Sequence, residues 1–396
     1  MSVHSVVIVG GGLAGARIAE QLRGAGYQGA VTIVSDEEHP PYDRPPLSKE
    51  ILSDESKGLA DIALKPAEFY ADNDITLRLG SGARSLDTAA RTLTLADGTE
   101  LGYDELVIAT GLVPKRIPAL PDLAGIRVLR TIGEALGLRQ HAAKATRAVV
   151  IGAGFIGCEV TASLRKLGVQ VALVEPQPAP LAGVLGERIG QLVARLHRSE
   201  GVDVRTGVGV SEVKGSGGHV SSVVLSDGQE IDADLVIVGI GSRPATDWLA
   251  GSGVDLAPDG GVLCDSAGRS SAPHVWALGD VASWPDAAGH QSRVEHWSNV
   301  AEQARVLAPA LTGGESPNLV VVPYFWSDQY DVKIQCLGEP EATDVVHVVE
   351  DDGRKFLAYY ERDGVLVGVV GGGMPGKVMK ARARIAGGAP IADVLA

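Results

Sequence analysis

The chain has 396 residues, 45% of them hydrophobic and 21% charged, with a formal net charge of −14. That length allows two or three domains with substantial cores, and the acidic balance, with no dominant basic run, argues against a nucleic-acid binder. No apolar run approaches the roughly 20 residues of a membrane span. The chain enters its first apolar run almost at once, with no basic leader and no cleavage site, so a cytoplasmic protein is expected. Cys158, Cys264 and Cys336 stand apart in the sequence. Without a C-x-x-C pair they read as small buried hydrophobes, and neither a redox disulfide nor a metal site is expected.

The first element is Val6-Val7-Ile8-Val9, running straight into Gly10-Gly11-Gly12-Leu13-Ala14-Gly15. A β-branched run followed by G-x-G-x-x-G predicts a buried parallel strand, a tight turn and a helix N-terminus. Gly10 allows the turn, Gly12 the approach of a pyrophosphate, and Gly15 the close packing of helix on strand. The helix is expected to reach Ala25, with a second strand over 31–34 and acidic residues at Asp36, Glu37 and Glu38, where a ribose hydroxyl would need an acceptor. Next come Pro40, Pro41, Pro45 and Pro46, a density that forbids regular helix or central strand and gives a stiff loop holding Arg44 and Lys49. Residues 77–101 alternate like a β-meander with Asp97-Gly98 as a turn, and a further buried strand runs from Glu105 into Ala109-Thr110-Gly111.

The opening motif then returns. Val149-Val150-Ile151 leads into Gly152-Ala153-Gly154-Phe155-Ile156-Gly157, then a helix to about Leu167 and a strand ending in Glu175. A second meander follows, and the strand 234–241 ends in Gly241 as the earlier one ends in Gly111. Two dinucleotide sites in one chain suggest a relay between a bound cofactor and one that comes and goes. Glu175, with no base before Arg188, suits the two ribose hydroxyls of NADH rather than a 2′-phosphate. A short strand closes in Gly279-Asp280, and a helix is expected over 295–311. From 320 onward the pattern changes. Strands are expected over 320–326, 333–337, 345–349, 356–362 and 365–370, and a terminal helix over 374–385.

Taken together, these features resemble the FAD-dependent ferredoxin reductases of oxygenase systems, the group of the putidaredoxin, rubredoxin and aromatic-dioxygenase reductases. The glycine loops fit any enzyme with two dinucleotides. Arg44-Pro45-Pro46-Leu47-Ser48-Lys49 and Phe325-Trp326-Ser327-Asp328-Gln329 are much more specific to the family. The resemblance implies an α/β fold like that of glutathione reductase, with two Rossmann-like domains, the second inserted in the first, and a C-terminal α+β domain. The expected boundaries are 1–111 and 237–314 for the FAD domain, 112–236 for the NAD domain and 315–396 for the last.

By the same resemblance FAD occupies the first site, touched by Leu13, Ala14, Asp36, Arg44, Lys49, Ala83, Thr110, Gly111, Arg130, Gly279, Asp280 and Trp297. NADH occupies the second. It implies a Lys49–Glu159 ion pair beside the flavin, Phe155 covering the flavin, and Trp326 near its exposed end. Lys49, Glu159 and Trp326 are the residues expected to carry the chemistry. The implied function is electron transfer from NADH through FAD to an iron–sulfur ferredoxin or rubredoxin. A redox sensor similar to apoptosis-inducing factor is the alternative, and an NADH oxidase is disfavoured because its flavin-side cysteine has no counterpart here. The carrier is expected to dock near Trp326, Lys377, Lys380 and Arg384, because residues 374–385 hold four cations and no acid within an acidic chain. On one continuous helix Lys377, Lys380 and Arg384 would share a face.

Overall fold

The computed structural model describes residues 3–286, 289–317 and 322–395. The chain divides into two compact units, the first formed by Met1–Asp43, Leu59–Val113 and Ser242–Val321, the second by Arg44–Gly58, Pro114–Gly241 and Val322–Ala396.

The first unit is built on a five-stranded parallel sheet. Its order is Val275–Ala277, Glu105–Ile108, Ser5–Val9, Ala30–Val34 and Ile75–Arg78. The central strands are mostly apolar because helices cover the sheet, and Ile8, Ile33, Leu106 and Ile108 are fully buried. Helix Leu13–Gly24 buries Ile18, Ala19 and Leu22 and packs with helix Trp297–Leu311. The expected meander over 77–101 needs correction at its start. Ile75–Arg78 joins the parallel sheet beside Ala30–Val34, and the antiparallel sheet consists of Ala83–Asp87, Thr92–Leu95 and Glu100–Gly102.

The second unit repeats the parallel sheet, in the order Asp203–Thr206, Gln170–Glu175, Arg147–Ile151, Leu235–Val238 and Ile126–Arg127. A three-stranded meander, Val210–Ser216, His219–Leu225 and Glu230–Asp232, belongs to it. The same unit holds a five-stranded antiparallel sheet ordered Tyr324–Gln329, Val332–Gly338, Val365–Gly372, Phe356–Arg362 and Val345–Asp351. All five expected C-terminal strands are present, although residues 320–321 of the first lie outside the described residues.

Leu138, Leu164, Ile189, Ile334, Phe356 and Tyr360 share one core. Leu52, from the short helix Glu50–Ser53 after the proline loop, is fully buried in it, which is worth roughly 1.5–3 kcal/mol. Arg139 pins that segment by donating from Nη1 to the carbonyls of Ile51, Asp54 and Lys57 at 2.8–3.0 Å.

The expected helix over 374–385 is two short helices, Pro375–Lys380 and Arg382–Ala386. They meet at Ala381, whose N–H bonds to the Val378 carbonyl three residues back. Val378 and Ala381 are both drawn into the core under the sheet, so burial sets the break.

Tyr360 is fully buried, and its hydroxyl donates to the Leu185 carbonyl at 2.8 Å, beside the left-handed kink at Gly186 in helix Ala182–Ser199. Tyr360→Phe is expected to cost about 0.5–1.5 kcal/mol, read as an earlier denaturant midpoint. An unchanged midpoint would show that this bond contributes nothing.

Candidate functional site

In the first unit the glycine loop is set by close approach. Gly10 has φ +129°, and a Cβ there would lie 2.2 Å from the Ala109 carbonyl oxygen. A Cβ on Gly15 would lie 2.0 Å from the Gly10 oxygen. Gly12 stands at the helix N-cap with no side-chain cap and no acid in the first turn, which leaves backbone N–H groups and the positive end of the helix dipole for an anion. Thr110 Oγ1 donates to the Ala245 carbonyl at 2.9 Å, and Gly111 is left-handed. The N–H of Gly279 donates to Gln303 Oε1 at 2.7 Å, and a Cβ on Gly279 would meet Ala14 Cβ at 2.9 Å. Gly279 and Ala14 thus bring the last strand end against the glycine loop. Asp280 is half-buried, and its carbonyl accepts from Arg293 at 2.9 Å. Trp297 opens its helix and donates from Nε1 to Asp43 at 2.8 Å, with Arg17 5.8 Å from its ring centroid. Asp36 is exposed and lies against Gly82, next to Ala83. Glycines that no other residue can replace and a bare helix terminus fit a dinucleotide diphosphate.

The second loop copies the first. Gly152 has φ +97°, with a hypothetical Cβ 2.4 Å from the Gly239 oxygen, and a Cβ on Gly157 would lie 2.0 Å from the Gly152 oxygen. Gly154 caps helix Phe155–Lys166 without a side-chain bond. Glu175 reaches back to the loop, Oε2 accepting from Ala153 N–H at 2.7 Å and Oε1 from Gln177 N–H at 2.9 Å. A carboxylate has about four acceptor sites, so capacity for a ribose remains. Ile156 is exposed and Gly241 has open space around it.

The electrostatic centre of this unit is Glu159, only 3% exposed. Lys49 Nζ lies 2.8 Å from Glu159 Oε2, which also accepts from Ser48 Oγ at 2.5 Å. Ser327 Oγ donates to Glu159 Oε1 at 2.8 Å. Lys49 Nζ is held further by the Pro45 carbonyl at 2.9 Å, and Ser163 Oγ bonds the Ser48 carbonyl at 2.6 Å. The proline loop therefore presents Ser48 and Lys49 as a pair. Arg44 Nη1 donates to the Arg130 carbonyl at 2.6 Å, just before the Thr131–Glu134 capping box. Phe155 packs edge-to-face on Phe325, centroids 5.0 Å apart.

A model of the pyridine nucleotide-disulphide oxidoreductase family matches residues 4–304, and a reductase C-terminal model matches residues 324–396. The chain belongs to that family, among its ferredoxin reductases. It is 38% identical to a ferredoxin--NAD(P)(+) reductase of Sphingomonas sp, covering 92% of this chain and 88% of the relative. It is 37% identical to the rhodocoxin reductase of Rhodococcus erythropolis, covering 98% and 90%. The structure matches putidaredoxin reductase in its covalent complex with putidaredoxin with a TM-score of 0.94 at 31% identity, covering 100% of this chain and 96% of that one. No helix among the described residues is long and apolar enough to cross a membrane.

Sequence reasoning missed Ser48, Ser327 and Asp43 in this reductase. All three lie inside stretches read as motifs, yet only their charged or aromatic neighbours drew attention. The expected basic face also needs correction. Lys377 pairs with Glu350 across the sheet edge, and the broken helix separates Lys380 from Arg384, although both remain exposed. Trp326 is half-buried, stacked on Tyr324 at 5.9 Å and 5.8 Å from Lys333 Nζ.

All three cysteines are buried. Burial pushes the Cys264 thiol up to about 12 and those of Cys158 and Cys336 higher still, so none supplies thiolate near neutrality. A thiol reagent should find no fast-reacting group until the chain unfolds. The triple Ser variant should keep its NADH-to-ferredoxin rate per FAD-loaded molecule. A collapse of that rate with FAD retained would reveal a thiol relay.

Proposed function

We propose that this chain is an NADH-dependent flavoprotein reductase that passes electrons through FAD to an iron–sulfur ferredoxin or rubredoxin feeding an oxygenase. The observation that carries this reading is the convergence on Glu159 of Ser48 and Lys49 from the proline loop and Ser327 from the last sheet. Those are the two stretches specific to ferredoxin reductases, and the names of the relatives above agree. FAD falls to the first loop, with Gly10, Gly12, Leu13, Ala14, Gly15, Asp36, Ala83, Thr110, Gly111, Gly279, Asp280 and Trp297. NADH falls to the second, with Gly152, Gly154, Phe155, Ile156, Gly157, Glu175 and Gly241. The NAD domain, 112–236, is inserted in the FAD domain, and 315–396 forms the C-terminal domain. The supply of NADH suits a cytoplasmic setting.

When bound, FAD supplies the two-electron acceptor and one-electron donor chemistry. The chain's own residues bind, orient and tune. Lys49, fixed by Glu159 and the Pro45 carbonyl, offers a cation that favours electron-rich flavin, and Arg44 and Arg130 complete the cationic surroundings. Glu175 orients the ribose of NADH. A 2′-phosphate would face this carboxylate, so the unmodified protein should use NADH at least about tenfold more efficiently than NADPH. Equal or better steady-state use of NADPH with ferredoxin-coupled cytochrome c reduction would sink the assignment of Glu175. Slow turnover with every ferredoxin would instead favour a redox sensor.

The carrier docks on the side of Trp326, with Lys333 beside it and Lys380 and Arg384 as the exposed cations. Lys377 contributes less, because Glu350 neutralises it. Rim charges act on association and are screened within about 8–10 Å at physiological salt. Reversing Lys380 and Arg384 to Glu should raise the apparent KM for ferredoxin several-fold and flatten its salt dependence, while ferricyanide turnover stays near normal. Unchanged ferredoxin kinetics across a salt series would place docking elsewhere.

A further inference from the structure

The second glycine loop is pinned at Ala153 from two directions. Its N–H donates to Glu175 Oε2 at 2.7 Å, and its carbonyl accepts from Leu181 N–H at 3.0 Å. Leu181 is left-handed, φ +58°, and only 4% exposed, so backbone and side chain both anchor the chain there. A single helical turn follows. The N–H groups of Val184 and Leu185 both return to the Leu181 carbonyl, at 3.0 and 2.8 Å. Gly186 then breaks the helix, with φ +77° and ψ 161°.

The far end of this turn is held by the C-terminal sheet. The Tyr360 hydroxyl donates to the Leu185 carbonyl at 2.8 Å, and both residues are fully buried. The Ala342 carbonyl oxygen lies 3.2 Å from where a Cβ on Gly186 would stand. Between its two anchors the turn is open. Val184 is 45% exposed, and a Cβ on Gly183 would meet nothing within 4 Å. A helix rises about 1.5 Å per residue, which puts Val184 about 5 Å beyond Leu181 and on the same face. Ile156, on the first turn of the loop's own helix, is 46% exposed. Single exposed apolar residues are ordinary. Two beside one loop with a bare helix terminus fit a nucleotide that covers them.

We propose that the turn Ala182–Leu185 is a wall of the NADH site, with Val184 lying against the dinucleotide and Tyr360 the positioning residue that sets the turn from the C-terminal sheet. The proposal rests on the second loop holding NADH. Tyr360 acts through the Leu185 carbonyl. Without the hydroxyl that buried carbonyl has no water to turn to, so the turn shifts to find a donor and carries Val184 with it.

The test is equilibrium binding of NAD+ to the FAD-loaded full chain by titration calorimetry, at a temperature where circular dichroism shows every variant folded. Val184→Asp sets a carboxylate against a diphosphate and should raise the Kd about tenfold, less so at high salt, whereas Val184→Lys should lower it. Leu167→Asp makes the same kind of change at an exposed apolar residue on the far end of the loop helix, and should leave the Kd native. Tyr360→Phe should raise the Kd about two- to tenfold. Combined with Val184→Asp its effect should be smaller than the product of the two, since both act through one turn. A purely structural role would lower the melting midpoint of Tyr360→Phe without moving the Kd, and a native Kd there overturns the positioning role. If Tyr360→Phe fails to fold, the exposed site decides: a native Kd in both Val184→Asp and Val184→Lys, with Glu175→Ala still weakened, overturns the wall. A native Kd in Glu175→Ala instead overturns the second loop as the NADH site, and the wall with it.

Discussion

A carboxylate taken out of water must be paired and fully hydrogen-bonded or it neutralises itself. Glu159 is that carboxylate, and the second unit is arranged to satisfy it. One oxygen takes an ammonium and a hydroxyl from adjacent residues of the proline loop, the other a hydroxyl from the last sheet. Removing any one donor would leave buried charge underpaired. The stiff loop, the Arg139 clamp on its exit and the Ser163 bond to the Ser48 carbonyl all serve to deliver Ser48 and Lys49 together. Proline density is thus a means of fixing two donors at once, since a flexible segment would lose more conformational entropy in presenting them.

The two glycine loops are near copies in backbone. In each, the first glycine is left-handed against a carbonyl and the last glycine packs against the first. They differ at the end of the following strand. In the second unit Glu175 accepts directly from the loop N–H of Ala153. In the first unit Ser35 fills that place, close enough that a Cβ on Gly11 would lie 2.5 Å from its hydroxyl, and the acid comes one residue later, exposed beside Gly82. The two loops thus share a backbone and differ in the side chain that meets it.

The central parallel strands were legible because β-branched runs and glycine spacing are local properties, and the five C-terminal strands because their alternation is local too; the edge strands Ile75–Arg78, Asp203–Thr206 and Ile126–Arg127 lack such a run before a glycine turn and were not. The break at Ala381 was not, because it depends on which residues the sheet above draws inward. The pairing of Lys377 with Glu350 joins residues with no sequence relation, so a run of four cations read as a stronger patch than the fold provides. Ser48 and Ser327 were hidden for another reason. A serine has no pattern of its own, and its use follows only from the carboxylate it meets.

The strand Tyr324–Gln329 divides its side chains between a buried and a half-exposed face through its period of two. Ser327 and Gln329 are fully buried and belong to the polar line at Glu159, whereas Trp326 and Asp328 turn to the half-exposed face, where Lys333 reaches both. A slip of one residue in its register would exchange the two sets, putting the tryptophan against Glu159 and the serine in solvent. Six consecutive pairs to Val332–Gly338, without a bulge, hold that register. The strand therefore carries two sets of side chains at once, a hydrogen-bonding set inside and a half-exposed set outside.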